Sequence, residues 1–276
     1  MSGEDDVHTL FEFDPISNEC NKLSKATQLM SRIEDFGMCV CRGLVYIIGG
    51  RSNRVVSRQV VCYNRISDKW SRRADMLEER CQMSAGVING ELYAVGGVNQ
   101  HDQMVSSVQK YNPDTNEWHL VTPMNIPRYG MGIGTIKTKM YAVGGHGLSW
   151  ELNSCEVYDS ITDQWSYIAN LNYPSAPDVC VLDGLLYALG FGRFEVYSPQ
   201  NDSWSMMPVE RFLRVGGAAV QGRIYIFILM SSTKPSCLAR YAKFPWDVIC
   251  FDPNTKKWQF VSHVNSIGNR IYGRCT

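Results

Sequence analysis

Two stretches of sequence, ELYAVGG at 91–97 and YNPDTNEW at 111–118, form a pair that recurs along the chain. The first type returns as LVYIIGG at 44–50, KMYAVGG at 139–145, LLYALG at 185–190 and RIYIF at 223–227. The second type is an aromatic residue followed seven positions later by tryptophan, in the pairs Tyr63/Trp70, Tyr111/Trp118, Tyr158/Trp165, Tyr197/Trp204 and Phe251/Trp258. Because this spacing never varies, the chain is predicted to consist of structural repeats.

Each repeat is predicted to be a sheet of four short antiparallel strands. The small residues of Ser84-Ala-Gly86 suit an inner strand that is crowded near a central axis. Asn89-Gly90 is a two-residue hairpin signal that leads into the apolar tyrosine strand. A variable loop, a third strand and a last strand that begins at tryptophan complete the unit. We interpret the tyrosines and tryptophans of the repeats as core between the sheets.

Sheets repeated in this way predict an all-β propeller, one domain over 1–276 in which each sheet is a blade. Complete repeats are predicted at about 32–79, 80–127, 128–173, 174–210 and 211–264. The remaining residues, 8–31 and 265–276, together amount to nearly one more repeat of about 50 residues. We therefore expect six four-stranded blades, the last closed by both chain termini, since this would remove two unpaired sheet edges. Five blades are the alternative, because the remnant lacks a Gly-Gly strand.

Composition argues against several classes of function. The chain has 27 Lys plus Arg and 27 Asp plus Glu, so its neutral balance does not favour nucleic acid or membrane surfaces as partners. No apolar run approaches the roughly 18 residues of a membrane span, and the acidic start does not resemble a signal peptide. Ten cysteines without a Cys-x-x-Cys pair favour reduced, buried thiols, and five histidines lie at no metal-ligand spacing near them. We expect a cytoplasmic protein without metal or cofactor.

The Gly-Gly strand and the pattern Tyr-Asp-Pro-x-Thr-x-x-Trp, which is clearest at 111–118 and 251–258, resemble the Kelch repeat over nearly the whole chain. The repeats are most similar to those of BTB-Kelch proteins, in which the propeller captures substrates for a cullin-RING ubiquitin ligase. The resemblance implies a protein-interaction domain, and a start part-way through a blade suggests a fragment of a longer protein that contacts the ligase through domains absent from this chain. An actin-associated Kelch scaffold is the alternative.

An enzymatic function is the least favoured interpretation. Some propeller glycosidases carry Ser-x-Asp-x-Gly-x-Thr-Trp repeats, which this sequence lacks. It also contains no Gly-x-Ser-x-Gly, His-Glu-x-x-His or phosphate-loop motif. We therefore predict no catalytic residues.

Arginines supply the first candidate binding residues. In related Kelch domains the partner contacts the loops that lead into the inner strands and the loops that follow Gly-Gly. Arg32, Arg80, Arg128 and Arg211 precede their strand tyrosines by 13 or 14 residues, with Pro174 in the corresponding place of the fourth repeat. Because guanidinium groups pair bidentately with carboxylate or phosphate, the predicted partner is an acidic or phosphorylated peptide segment. The alternative is that these arginines hold loops together by bonding carbonyls.

Two further sets of loop residues are candidates. The loops after Gly-Gly carry Arg51, Asn53, Asn99, His146 and Trp150. Trp150 is outside the repeat positions, so it can serve as an interface hot spot, although packing of its own loop explains it as well. The fifth repeat has a long basic and aromatic loop, about 231–246, that includes Arg240 and Trp246. We expect this loop to help select the partner, and a flap packed on the domain is the alternative.

Overall fold

The computed structural model describes residues 9–17, 19–25, 33–148, 150–190, 192–208, 213–229 and 246–264. All regular secondary structure in these ranges is β-strand, and within them no helix is long and apolar enough to cross a membrane. The strands are β1 (Thr9–Asp14), β2 (Glu19–Lys25), β3 (Gly37–Cys41), β4 (Leu44–Ile48), β5 (Arg51–Ser52), β6 (Val55–Val56), β7 (Val60–Asn64), β8 (Lys69–Arg72), β9 (Ser84–Ile88), β10 (Glu91–Val95), β11 (Val108–Asn112), β12 (Glu117–Val121), β13 (Gly132–Ile136), β14 (Lys139–Val143), β15 (Cys155–Asp159), β16 (Gln164–Ile168), β17 (Asp178–Leu182), β18 (Leu185–Gly190), β19 (Arg193–Ser198), β20 (Ser203–Met206), β21 (Leu213–Val220), β22 (Arg223–Leu229), β23 (Trp246–Asp252) and β24 (Lys257–Val264).

The strands form five four-stranded blades, each an antiparallel meander in chain order. The blades are β3-β4-β7-β8, β9-β10-β11-β12, β13-β14-β15-β16, β17-β18-β19-β20 and β21-β22-β23-β24. The inner strands β3, β9, β13, β17 and β21 contact one another in succession, which places them around a common axis. The propeller predicted from the repeat is therefore confirmed, with tyrosine strands second and tryptophan strands outermost.

The prediction of six four-stranded blades is wrong, because the structure has five. Among the residues expected to begin the sixth blade, those that the structure describes form the two-stranded hairpin β1–β2. The physical reason is that this segment supplies an outer pair of strands and no Gly-Gly strand to pair inside it. The hairpin contacts two blades: the ring centroids of Phe13 and Tyr225 are 6.0 Å apart, and Arg65 forms an ion pair of 2.7 Å with Glu12. The tail 265–276 lies outside the described residues.

Glycine is required where the second strand ends, because the next blade approaches closely there. Gly96 has a φ of +58°, and a Cβ built on it would lie 2.4 Å from the carbonyl oxygen of Arg128. An inner-strand glycine is restricted in the same way, since a Cβ on Gly134 would lie 2.6 Å from Leu186 of the fourth blade. Close approach of neighbouring blades therefore explains the glycines of the repeat.

Aromatic residues join each blade to the next, which confirms their assignment to the core. Second-strand tyrosines pack on third-strand tyrosines of the following blade in the pairs Tyr46/Tyr111, Tyr93/Tyr158 and Tyr141/Tyr197. Each outer-strand tryptophan from the second blade onward donates its indole N–H across the same junction, to a carbonyl oxygen 2.9–3.0 Å away. These pairs are Trp118/Ala74, Trp165/Thr122, Trp204/Ala169 and Trp258/Pro208. The invariant spacing therefore encodes contacts between blades.

The turn between the third and fourth strands completes this junction. The hydroxyl of Tyr197 donates to Asp202 at 2.7 Å, and the same carboxylate accepts the backbone N–H of Ala169 from the third blade at 2.8 Å. These two donors lower the pKa of Asp202, with the backbone donor contributing more. Corresponding tyrosine pairs occur at Tyr63/Asp68, Tyr111/Asn116 and Tyr158/Asp163.

Candidate interaction surface

Loops of two kinds meet at one end of the ring, and we call this surface the rim. Lead-in loops precede the inner strands, and crossing loops join the second strands to the third strands. Within a blade the two loops pair through isolated bridges, Glu34 with Arg51, Cys81 with Val98, and Tyr129 with His146. Crossing loops also bond to the next blade, as where the N–H of Gly97 donates to the carbonyl of Arg128 at 3.0 Å. The rim is therefore a connected surface on a rigid support.

Arg80 and Arg128 are on lead-in loops as predicted, but both side chains are fully buried. In the third blade, Nη1 of Arg128 donates to the carbonyls of Gly144 and Ser154 at 2.9 and 2.7 Å. Its Nη2 donates to the hydroxyl of Ser154 at 3.1 Å and to Glu156 at 2.8 Å, and this carboxylate is also fully buried. A guanidinium group held in this way cannot contact a partner.

Arg80 makes the corresponding contacts in the second blade. It donates to the carbonyls of Gly96 and Ser107 at 3.3 and 2.8 Å, and to the hydroxyl of Ser107 at 2.9 Å. Its carboxylate partner is different: Glu78 accepts at 2.7 Å and has a half-exposed side chain. Burial lowers the pKa of Arg80 to about 10. The observed bonds are those of the alternative interpretation, in which the arginines hold loops by bonding carbonyls.

Of the four predicted arginines, the structure describes only Arg80 and Arg128. In the first blade Ile33, not Arg32, occupies the place of Arg80, since Gly37 and Ser84 begin matching inner strands four residues later. Arg32, Arg211 and Arg240 lie outside the described residues, as do most residues of the loop 231–246. Trp246 begins β23, but its side chain is also outside the described part.

Three other candidates have local structural contacts. Arg51 pairs with Asp35 of its own blade, with 2.6 Å between Nη2 and Oδ2. Asn53 has a φ of +49° at the exposed tip of the β5–β6 hairpin, a conformation that asparagine tolerates in such turns. Asn99 caps its own loop, because its Oδ1 accepts the N–H groups of His101 and Gln103 at 2.9 and 3.0 Å. Loop structure alone accounts for the residue types at these positions.

His146 is half-exposed and stacks on Tyr129, with 4.9 Å between ring centroids and 13° between planes. Trp150, in the same crossing loop, is 84% exposed, and its neighbour Leu148 is 95% exposed. Packing of the loop, the alternative considered for Trp150, does not account for a ring so open to solvent. Trp150 is therefore the candidate that the structure leaves most available to a partner.

Sequence reasoning did not identify two residues beside this loop. Tyr173, in the segment leading into the fourth blade, is 48% exposed, and the guanidinium carbon of Arg193 lies 4.3 Å from the centroid of its ring. Pro174, noted only as a departure from the arginine pattern, accepts a 3.1 Å hydrogen bond from Arg193. The unusually short crossing loop of the fourth repeat was the available signal, since it places Arg193 directly at the rim.

Comparison with known proteins agrees with this architecture. The Kelch motif matches residues 34–77, 79–125 and 127–172. Human Kelch-like protein 30 is 37% identical over 194 residues, covering 67% of this chain and 33% of that protein. Kelch-like protein 25 of Xenopus tropicalis is 25% identical and covers 93% of this chain and 39% of its own length. Kelch-like ECH-associated protein 1A of Danio rerio is 38% identical over 95 residues, 33% of this chain and 15% of that protein.

Among solved structures, that of YjhT superposes with a TM-score of 0.71, at 12% identity, over 88% of this chain and 87% of its own. A likeness at this identity concerns the fold alone. The chain spans between 15% and 39% of the lengths of the three Kelch-like relatives. Motif matches, relatives and blades agree, and the chain therefore belongs to the Kelch-repeat β-propellers and resembles the protein-interaction domains of BTB-Kelch proteins.

Proposed function

We propose that this propeller is the substrate-recognition domain of a BTB-Kelch adaptor for a cytoplasmic cullin-RING ubiquitin ligase, and that it is a binding module without catalytic activity. The observation that carries the proposal is the rim, where a rigid ring presents Leu148 and Trp150 almost fully to solvent. Large exposed apolar side chains on a supported loop are typical of sites for protein partners. The ligase connection is inferred from the Kelch-like family.

The proposal includes an acidic or phosphorylated ligand, but the arginines that support this ligand are different from those that the sequence suggested. Arg80 and Arg128, which motivated it, are buried and are removed from the binding surface. Arg54 and Arg193 remain at the rim, and neither has a carboxylate partner within ion-pair distance among the described residues. Cationic groups without local compensation favour partners that carry carboxylates or phosphates.

The test uses the protein that carries this propeller at its full length. The tagged wild type and the tagged Trp150→Ala variant are each expressed in cells in which ligase-dependent degradation of substrates is blocked. Proteins that co-purify with each bait are identified by mass spectrometry. Ile161→Ala is the matched control, because Ile161 is similarly exposed, at 78%, but lies on a turn at the end of the ring opposite the rim. We expect a cullin with all three baits, and loss of a subset of other partners only with Trp150→Ala.

Other outcomes would contradict the proposal. Absence of any cullin from all three baits would exclude the ligase role. Actin recovered as the main partner, and confirmed by co-sedimentation of the propeller with filaments, would instead favour the cytoskeletal scaffold.

A further inference from the structure

Two segments of the rim that are hydrogen-bonded to each other carry Leu148, Trp150 and Tyr173, and Arg193 of the fourth blade lies over the ring of Tyr173. The crossing loop of the third blade bonds to the segment that leads into the fourth, since the N–H of Leu171 donates to Asn153 at 2.8 Å and that of Ser175 donates to Leu152 at 3.1 Å. Trp150 and Tyr173 each lie two residues from the second of these bonds. Arg193 stacks on Tyr173. We call Leu148, Trp150, Tyr173 and Arg193 the Trp150 patch.

The fourth blade leaves this patch without a tall neighbouring loop. Only residues 191–192 separate β18 from β19, whereas residues 96–107 separate β10 from β11 in the second blade. In the second blade the longer loop reaches its neighbour, where Gln100 accepts the N–H of Val56 at 2.6 Å. The crossing loop of the fourth blade is therefore ten residues shorter than that of the second, and Trp150 of the preceding blade is 84% exposed.

Arg193 is held in position, and toward the part of the chain that the structure describes its guanidinium makes one hydrogen bond. Its Nη1 donates to the carbonyl of Pro174 at 3.1 Å, and its guanidinium lies over Tyr173. Within the described ranges no carboxylate pairs with it. Guanidinium has five donors in a fixed fork, and stacking on an aromatic ring reduces the entropy lost when a ligand is bound. The guanidinium is thus oriented to donate hydrogen bonds to an anionic group of a partner.

We propose that the Trp150 patch binds an extended, acidic protein segment in which a carboxylate pairs with Arg193 and an adjacent large apolar side chain packs on Trp150 and Leu148. This inference rests on the proposed function and specifies the partner chemistry of the same rim. Tryptophan, tyrosine and arginine are the residues that most often dominate binding energy at interfaces. A carboxylate fits better than a phosphate, because phosphate sites use clusters of arginine and here Glu151 lies on the same loop as Trp150.

The experiment selects peptides from a displayed library of random dodecapeptides on the wild-type chain. Affinities of the selected peptides, labelled with a fluorophore, are then measured by fluorescence polarisation. The variants are Trp150→Ala, Arg193→Ala and the control Ile161→Ala, each checked for an unchanged unfolding midpoint. We expect selected peptides to share Asp or Glu next to Leu, Phe or Trp. Affinity should fall at least about tenfold for Trp150→Ala and Arg193→Ala, and less than about twofold for Ile161→Ala.

Several results would overturn the inference. These are failure to select any peptide, selected peptides that lack an acidic position, and affinities unaffected by both patch variants. Binding that requires a phosphorylated residue would replace the carboxylate with a phosphate ligand. Binding that occurs only after residues 231–245 are deleted would show that this segment of the chain itself occupies the patch. Because cullin recovery by the full-length protein does not depend on Trp150, the proposed function can stand or fail separately.

Discussion

Buried arginines show how one residue type can stabilise the ring in different degrees. Glu156 is fully buried beside Arg128, whereas Glu78 beside Arg80 is half-exposed. Removing Arg128 would leave the Glu156 carboxylate in the interior without a cation, with hydrogen bonds from Asn125 and Ile126 as its remaining compensation. The carboxylate left by removal of Arg80 could hydrate. The sequence motif is shared, but the two deletions should differ in cost.

We expect Arg128→Ala to lower the free energy of unfolding by about 3–5 kcal/mol, as for other broken buried pairs. Arg80→Ala should cost less, about 1–3 kcal/mol, because it loses hydrogen bonds without burying a lone charge. Urea unfolding followed by circular dichroism measures both. Arg42→Ala is the control, since its exposed pair with Asp114 should contribute less than about 1 kcal/mol. Equal losses of unfolding free energy in Arg80→Ala and Arg128→Ala would contradict this explanation. So would a double variant, Arg128→Ala with Glu156→Gln, that is no more stable than Arg128→Ala alone.

Asp202 connects stability to pH through the junction of the third and fourth blades. Its pKa is below the ordinary 3.8 because Ala169 and Tyr197 donate to the carboxylate in the folded chain. Ionised Asp202 thus stabilises the fold at pH values above the pKa that the carboxyl group has in the unfolded chain. This contribution is lost as the pH falls through the lower pKa of the folded chain.

Asp202→Asn should therefore lower stability at pH 7, where the ionised carboxylate is the stronger acceptor, and should remove part of the acid-induced loss below about pH 4. The second blade offers the precedent, because Asn116 there accepts from Tyr111 and Ala74 in the same arrangement. Thermal unfolding midpoints between pH 3 and 7 test the expectation. Parallel midpoint curves for wild type and variant would exclude a contribution from Asp202 to the acid limb.

At the scale of the element, the most demanding feature of the repeat is the close approach of the next blade to the Gly-Gly end of the second strand. Gly96 and Gly43 both have positive φ, +58° and +76°, but a Cβ on Gly43 would meet nothing within 4 Å. Comparing alanine at the two positions separates backbone conformation from close approach.

Gly43→Ala should cost about 1–2 kcal/mol, the usual penalty for a non-glycine residue in the left-handed region. Gly96→Ala should cost clearly more, because the added methyl group would overlap the carbonyl of Arg128 and displace the second blade from the third. Urea midpoints of the two variants provide the comparison. If both variants lose the same stability, conformation alone would explain the glycine.

The elements were predictable from sequence to different extents, for physical reasons. The spacing of seven identifies the third and fourth strands because their hairpin places Tyr111 directly opposite Trp118. The direction of a loop side chain follows no such period. The sequence therefore placed Arg80 on the correct loop but predicted a side chain exposed to a partner, whereas the structure buries it. The same limit applies to Trp150, whose 84% exposure follows from no sequence period.

At the scale of the whole molecule, the five blades and the hairpin β1–β2 raise the question of how the ring is completed. Counting leftover residues predicted six blades, but the number of residues does not determine whether inner strands exist. The hairpin supplies outer strands only, yet Phe13 contacts Tyr225 as third-strand aromatics contact second-strand tyrosines elsewhere. Its ion pair with Arg65 connects it to the first blade.

The hairpin should therefore stabilise the junction of the fifth and first blades through Phe13. We expect Phe13→Ala to lower the free energy of unfolding by about 1–3 kcal/mol, less than for a fully buried phenylalanine because this ring is only partly covered. In a chain of this size the thermal midpoint should fall by at least about 2 °C. Ile16→Ala, at the 75% exposed tip of the same hairpin, should leave the midpoint unchanged. Equal midpoints for the two variants would mean that the hairpin adds nothing to the stability of the ring, and that the five blades hold together without it.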